Sequence, residues 1–144
     1  MAGYANNPAA NAEAFTHGWF RTGDRGVLQD GYLTLHGRIK EMIIRGGENI
    51  APAEIEQVLV SHPAVRDAVC FGVEDDKYGE LVAAAVTLDR DAQARDLIDH
   101  CRQRLAAFKV PAQIDVVPEI PRTSTGKPQR RRMAEVVAAR RAAS

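Results

Sequence analysis

Apolar residues change their spacing several times along the 144-residue chain, and each change marks an element. Near the start, Asn6, Asn7, Pro8 and Asn11 break any regular pattern and leave room for a short Ala/Glu-rich turn of helix over 9–15. Two β-prone runs follow, Gly26-Val27-Leu28-Gln29 and Tyr32-Leu33-Thr34-Leu35-His36, separated by Asp30-Gly31. An Asp-Gly pair between such runs predicts a hairpin, because the favoured two-residue turns need positive φ. A third extended run, Met42-Ile43-Ile44, ends at Gly46-Gly47, where adjacent glycines permit positive φ and let a backbone or a ligand come close.

The period then changes. Pro52 suits the first residue of a helix, and Ile55, Val58 and Leu59 give that helix an apolar face at i, i+3, i+4. It should stop near His62-Pro63. Val65 to Val73 predicts a strand, and the nearly continuous apolar run from Leu81 to Leu88 predicts one covered on both faces. Leu97, Ile98, Cys101, Leu105 and Phe108 mark a second amphipathic helix, Ile114 and Val116 a short strand, and Met133, Val136 and Val137 a final helix. Adjacent strands beside separate helices predict an α+β fold: a small sheet with flanking helices, preceded by a β-hairpin.

Composition narrows the classes. An apolar content of 45% with 26% charged residues fits a globular chain rather than a disordered one. The formal net charge is zero, which argues against a general nucleic-acid binder. Cys70 and Cys101 lack CxxC spacing and read as reduced structural thiols. No apolar run approaches the ~18 residues of a membrane span, and no signal peptide is visible, so the expected location is cytoplasmic. His17, His36, His62 and His100 are scattered and read as surface or satisfied core residues, with no metal site.

Candidate chemistry concentrates in two clusters. Pro121-Arg122-Thr123-Ser124-Thr125-Gly126-Lys127-Pro128 holds one lysine in a Ser/Thr/Gly loop closed by prolines, suited to carry a cation out to something anionic. It is not a P-loop, because the required first glycine and final Ser/Thr are replaced by Pro121 and Pro128. Arg130-Arg131-Arg132 splay by about 100° per residue on a helix, so they read as a solvated helix start rather than a phosphate stripe. The second cluster, Trp19-Phe20-Arg21-Thr22-Gly23-Asp24, places a carboxylate on a glycine-flanked turn, suited to accept two hydrogen bonds from a ribose diol. Gly37-Arg38-Ile39-Lys40-Glu41 follows it closely.

Together these motifs resemble the adenylate-forming acyl-CoA synthetase family, nearest to its acyl/aryl-CoA ligases, including oxalate–CoA ligase types. The family's aromatic-x-Arg-Thr-Gly-Asp segment is matched by Trp19 and Arg21 to Asp24, and its Gly-Arg-x-Lys/Asp hinge by Gly37, Arg38 and Lys40. The glycine loop and following helix are matched by Arg45 to Glu56, and the Pro-Arg-Thr-x-x-Gly-Lys loop by Pro121 to Lys127. Ala51 departs from the serine many relatives have before the helix, a lost cap of ~1 kcal/mol that leaves the chemistry alone.

The resemblance implies residue roles. Asp24 would bind the ATP ribose hydroxyls, Arg38 the nucleotide near ribose and phosphates, and Lys40 would be the hinge. Lys127 would be catalytic in adenylation, while Gly46 and Gly47 would line the coenzyme A channel. The implied reaction joins a carboxylate to ATP with Mg2+, giving acyl-adenylate and pyrophosphate, and then coenzyme A takes the acyl group and releases AMP. Residues 1–39 would be the tail of a large N-terminal adenylation domain and 40–144 the mobile C-terminal domain. Met1-Ala2-Gly3-Tyr4 resembles the interior of the family's Met-x-Gly-Tyr segment, so the chain would begin mid-protein and be inactive alone. A competing expectation is a truncated, non-catalytic relative that binds a partner protein or competes for an N-terminal domain.

Overall fold

The computed structural model describes residues 3–143, and of His36 only the backbone; Met1 and Ala2 of the Met-x-Gly-Tyr segment lie outside the described residues. The chain divides after Lys40 into two compact units.

The first unit opens with α1 (Pro8–Ala14), whose Asn7 side chain accepts from the Ala10 N–H at 3.1 Å. That contact satisfies one of the amides a helix start leaves without a partner. A small ribbon of β1 (Phe15–Thr16) and β2 (Trp19–Phe20) follows, then the hairpin β3 (Asp24–Gln29) and β4 (Tyr32–Arg38). Asp30 and Gly31 hold φ of 51° and 82°, the primed-turn geometry that the Asp-Gly pair predicts. Leu28 and Leu33 remain 71% and 64% exposed, so this hairpin holds together by its ladder rather than by a core of its own.

The second unit contains β5 (Ile43–Arg45), β6 (Glu48–Ile50), α2 (Pro52–Val60), β7 (Val65–Asp75), β8 (Gly79–Leu88), α3 (Ala94–Arg102), β9 (Gln113–Val116) and α4 (Arg130–Ala142). Its sheet centres on β8. That strand pairs antiparallel with β7 along one side; on the other it meets β5 at Arg45↔Gly79 and β9, in parallel, from Ala83 to Val86. Val82, Ala84 and Val86 face a core with Ile55 and Leu59 of α2 and Leu97 and Cys101 of α3. Ala83 and Ala85 face the opposite core with Met133 and Val137 of α4. The nearly continuous apolar run of β8 is therefore two interleaved faces, each covered by helix.

α2 begins at Pro52 with no side-chain cap from Ala51, as expected, and ends at Val60 before His62-Pro63. The helix through Leu97 ends at Arg102, shorter than the apolar spacing predicts. Leu105 N donates to Cys101 O at 2.9 Å, and a 3-10 turn over Ala107–Lys109 carries Phe108 back onto the same core. The spacing of Leu105 and Phe108 was right for burial but not for helix.

Two histidines far apart in sequence meet in the second unit, each half-buried. The rings of His62 and His100 lie edge to face with centroids 5.0 Å apart, and His100 Nε2 is 3.0 Å from Val58 O and 2.9 Å from Ser61 Oγ. Burial pushes the His100 imidazole below its ordinary value of 6.5; Arg104 and His62 add to this and the Val58 carbonyl opposes it. The fold thus favours neutral His100, and its contribution is present above 6.5 and lost as pH falls through the lower folded-state value. His100→Gln keeps an N–H for Val58 and removes the titration. Its melting temperature should fall less than that of the parent between neutral and mildly acid pH, in paired thermal melts; equal falls refute the assignment.

Candidate functional site

The loop between β9 and α4 is built around the main chain of Lys127. Thr123 N–H donates to Lys127 O at 2.8 Å, and Lys127 N–H donates to Thr123 Oγ1 at 3.1 Å. Gly126 N–H donates to Thr123 O at 2.9 Å while Gly126 sits at φ 84°, a conformation that suits glycine. The loop is closed by the Arg122↔Pro128 bridge and by Gln129 N–H donating to Pro121 O at 2.8 Å. Backbone N and O of Lys127 are thus both held, yet its side chain is exposed and has no partner among the described residues. An anchored backbone with an unpaired ammonium on a four-carbon stem can reach an anion at little cost.

Gly46 and Gly47 form the two-residue turn between β5 and β6, closed by the Arg45↔Glu48 pair, with φ of 57° and 86°. Left-handed backbone at both positions accounts for two glycines here. A Cβ at Gly47 would meet nothing within 4 Å, so space beside the turn is open. Next to it, the Arg45 guanidinium lies 4.6 Å from the Tyr78 ring centroid and donates to Phe108 O at 3.3 Å. Arg45 and Arg102, with Leu105, Val110 and Pro111, line an open groove of about 410 Å³. The Arg102 guanidinium at this groove is paired with Asp99 Oδ1 at 2.6 Å, and the floor is apolar. The sequence reading placed Arg45 at the start of the glycine-loop motif without giving it a role.

In the first unit, cross-strand pairing sets Asp24 opposite Arg38, with Arg38 Nε 3.7 Å from Asp24 Oδ1. Asp24 N–H donates to Thr22 Oγ1 at 3.2 Å, which fixes the turn that presents the carboxylate. The structure therefore brings these two predicted residues together. Lys40 lies exposed in the 3-10 turn over Ile39–Glu41.

The arginine run needs correction. Arg131 is 96% exposed, but the Arg130 side chain is only 19% exposed. It forks onto Glu56, with Nη1 on Oε1 and Nη2 3.2 Å from Oε2, and its Nε reaches Glu41 Oε2 at 3.3 Å. The start of α4 is solvated at Arg131 and clamped at Arg130. Cys70 and Cys101 are free and buried; burial pushes Cys70 well above its ordinary value, with Glu56 adding and Arg130 opposing, and pushes Cys101 up to about 11. Neither is a reactive thiolate near neutral pH. Among the described residues, no cluster of three or more His, Cys, Asp or Glu could hold a metal ion, and no helix is long and apolar enough to cross a membrane.

The chain is similar in sequence and in fold to known CoA ligases. A probable CoA ligase of Humulus lupulus is 53% identical over 137 residues, covering 92% of this chain and 26% of that protein. Oxalate–CoA ligase of Saccharomyces cerevisiae is 48% identical over 141 residues, covering 94% and 26%. Among solved structures, o-succinylbenzoate coenzyme A synthetase of Bacillus subtilis, in complex with ATP and magnesium ion, superposes with a TM-score of 0.87 at 41% identity over 93% of this chain and 28% of that one. The chain spans about a quarter of the length of the curated relatives it matches. Residues 54–127 match the family model for the AMP-binding enzyme C-terminal domain, and the chain belongs to that family.

Proposed function

We propose that the chain works as the C-terminal part of an ATP-dependent acyl-CoA synthetase, with residues 1–39 the tail of an adenylation domain and 40–144 the mobile domain after it. The observation that carries this reading is the Lys127 loop: a backbone held at N, O and the preceding turn, presenting an unpaired ammonium. In the first half-reaction a carboxylate oxygen attacks the α-phosphorus of ATP, the acyl–O–P bond forms and pyrophosphate leaves. Like charges oppose that approach, and a lysine between them offsets it. In the second, the thiolate of coenzyme A attacks the acyl carbon and AMP leaves.

Asp24 accepts from the two ribose hydroxyls, and Arg38 beside it faces the phosphate side. Lys40 is the hinge. The open turn at Gly46-Gly47 passes the pantetheine arm, and the groove under Arg45 and Arg102 takes the phosphate-bearing end of coenzyme A. Magnesium would enter with ATP as the counter-ion of its phosphates and offset their charge. A cytoplasmic location goes with the proposal, since ATP and coenzyme A are supplied there.

The test joins this chain to a matching adenylation domain and supplies ATP, coenzyme A and a panel of carboxylic acids. Thioester should form with the joined protein and not with the 144-residue chain alone. Failure of every carboxylate to yield an acyl-adenylate would overturn the reading. Asp24→Ala removes two hydrogen bonds to a charged acceptor, each worth about 1.5–3 kcal/mol, and should raise the KM for ATP on the order of 10²-fold or more, with a smaller change in kcat. An unchanged KM for ATP removes Asp24 from the nucleotide site.

A further inference from the structure

We infer that Arg122, held by Asp67, is the residue that aims Lys127. The inference rests on the catalytic role proposed above for Lys127 and adds to it a positioning device drawn from a distant strand. Arg122 makes two contacts with one guanidinium. Its Nη1 donates to Gly126 O at 2.6 Å, and its Nη2 is hydrogen-bonded to Asp67 Oδ2 on β7. Asp67 is itself oriented, because its Oδ1 accepts from the Ala68 N–H at 2.9 Å. The Arg122 carbonyl is in turn held by Gln129 Nε2 at 3.2 Å.

Gly126 O belongs to the peptide group whose nitrogen is Lys127 N. Arg122 therefore grips one end of that peptide plane while Thr123 Oγ1 grips the other at 3.1 Å. Holding that plane at both ends fixes the Lys127 Cα, and the bond from Thr123 N–H to Lys127 O at 2.8 Å holds the next plane, so the direction in which the Cα–Cβ bond leaves is set. Gly126 is the point where the loop most needs this. It has φ of 84°, no side chain and nothing within 4 Å of where a Cβ would be, so packing does not restrain it. Thr123 holds the loop to itself, and Arg122 through Asp67 ties it to the sheet.

Energetics separate this role from a merely stabilising one. The Arg122 and Asp67 side chains are 41% and 31% exposed, and solvent screening leaves pairs this open little weight in folding. A misplacement of about 1 Å at a catalytic group, in contrast, costs on the order of 10²-fold in rate. Losing Arg122 should thus leave stability nearly unchanged and impair adenylation.

The experiment uses the chain joined to its adenylation domain and compares Arg122→Gln, Arg122→Lys, Asp67→Asn, the Arg122→Gln/Asp67→Asn pair and Lys127→Ala. Arg122→Gln and Asp67→Asn should each lower kcat for acyl-adenylate formation about 10–100-fold, with KM for ATP and thioester formation from supplied acyl-adenylate unchanged. The double variant should lose no more than Arg122→Gln, since both act through one contact, and Arg122→Lys should recover part of the rate. Hydrogen exchange at the Gly126, Lys127 and Gln129 amides should quicken in Arg122→Gln without a change in melting temperature. Unimpaired adenylation in Arg122→Gln beside an impaired Lys127→Ala overturns the inference alone. Unimpaired Lys127→Ala overturns the catalytic role and the inference with it. Equal losses in both half-reactions, tracking a lower melting temperature, show a structural residue and also overturn it.

Discussion

Lys127→Ala, in the chain joined to its adenylation domain, should lower acyl-adenylate formation on the order of 10²–10³-fold, the usual cost of deleting one electrostatic stabiliser of a charged transition state. Two unit charges 4 Å apart at an effective dielectric near 20 interact by ~4 kcal/mol, enough for a loss of that size. The exposed ammonium gains this only when a closing domain excludes water around it, so the effect belongs to kcat more than to KM for ATP. Thioester formation from a supplied acyl-adenylate should survive, because coenzyme A attacks carbon and has no need of a cation between two anions. Lys127→Arg tests shape against charge: the planar fork is not a point charge on a flexible stem, and only partial activity should return. Undiminished adenylation by Lys127→Ala would sink the assigned role.

Elements closed by neighbouring residues were legible in the sequence, and those closed at a distance were not. Asp30-Gly31 specifies its hairpin because the positive φ values belong to the two residues themselves. Pro52 likewise marks its own helix start. The double burial of β8 could be read from its apolar run, but the partners of its two faces could not. β6 has one buried residue in three, too few to show a period, and its pairing with β5 follows from the turn instead. Among the candidate residues, Asp24 and Arg38 in the first unit and Gly46, Gly47 and Lys127 in the second stand out because their motifs resemble the family's, whereas Asp67 is one charge in a strand, and only folding sets it against Arg122, 55 residues away. Arg130 misled for the same reason. Helical splay correctly separates the three arginines, but nothing local shows that one of them finds Glu56, 74 residues upstream.

Arg130→Met should be the most destabilising single change at a charged residue of the second unit, by about 3 kcal/mol, the lower part of the range for breaking a buried ion pair. The side chains of Arg130 and Glu56 are 19% and 15% exposed, so the screening that weakens open pairs is mostly absent. Methionine fills the volume of the arginine stem and leaves Glu56 with the Cys70 N–H as its remaining hydrogen-bond donor, at 2.7 Å. A domain of this size has about 5–15 kcal/mol in total, and each kcal/mol moves Tm by about 4–8 °C, so the shift is easily measured. Adding Glu56→Gln should restore part of the loss: the amide oxygen still accepts from Cys70, and no unpaired charge remains. Glu56→Leu on the same background should restore less, since it orphans the Cys70 N–H. A melting temperature for Arg130→Met close to the parent's would show that Glu56 is solvated without its partner. The pair also bears on catalysis, because α4 starts at Arg130, three residues after Lys127, and Arg130 ties that start to α2 and to Glu41. If the loop is held from both sides, Arg130→Met should slow adenylation even at temperatures where the domain remains folded.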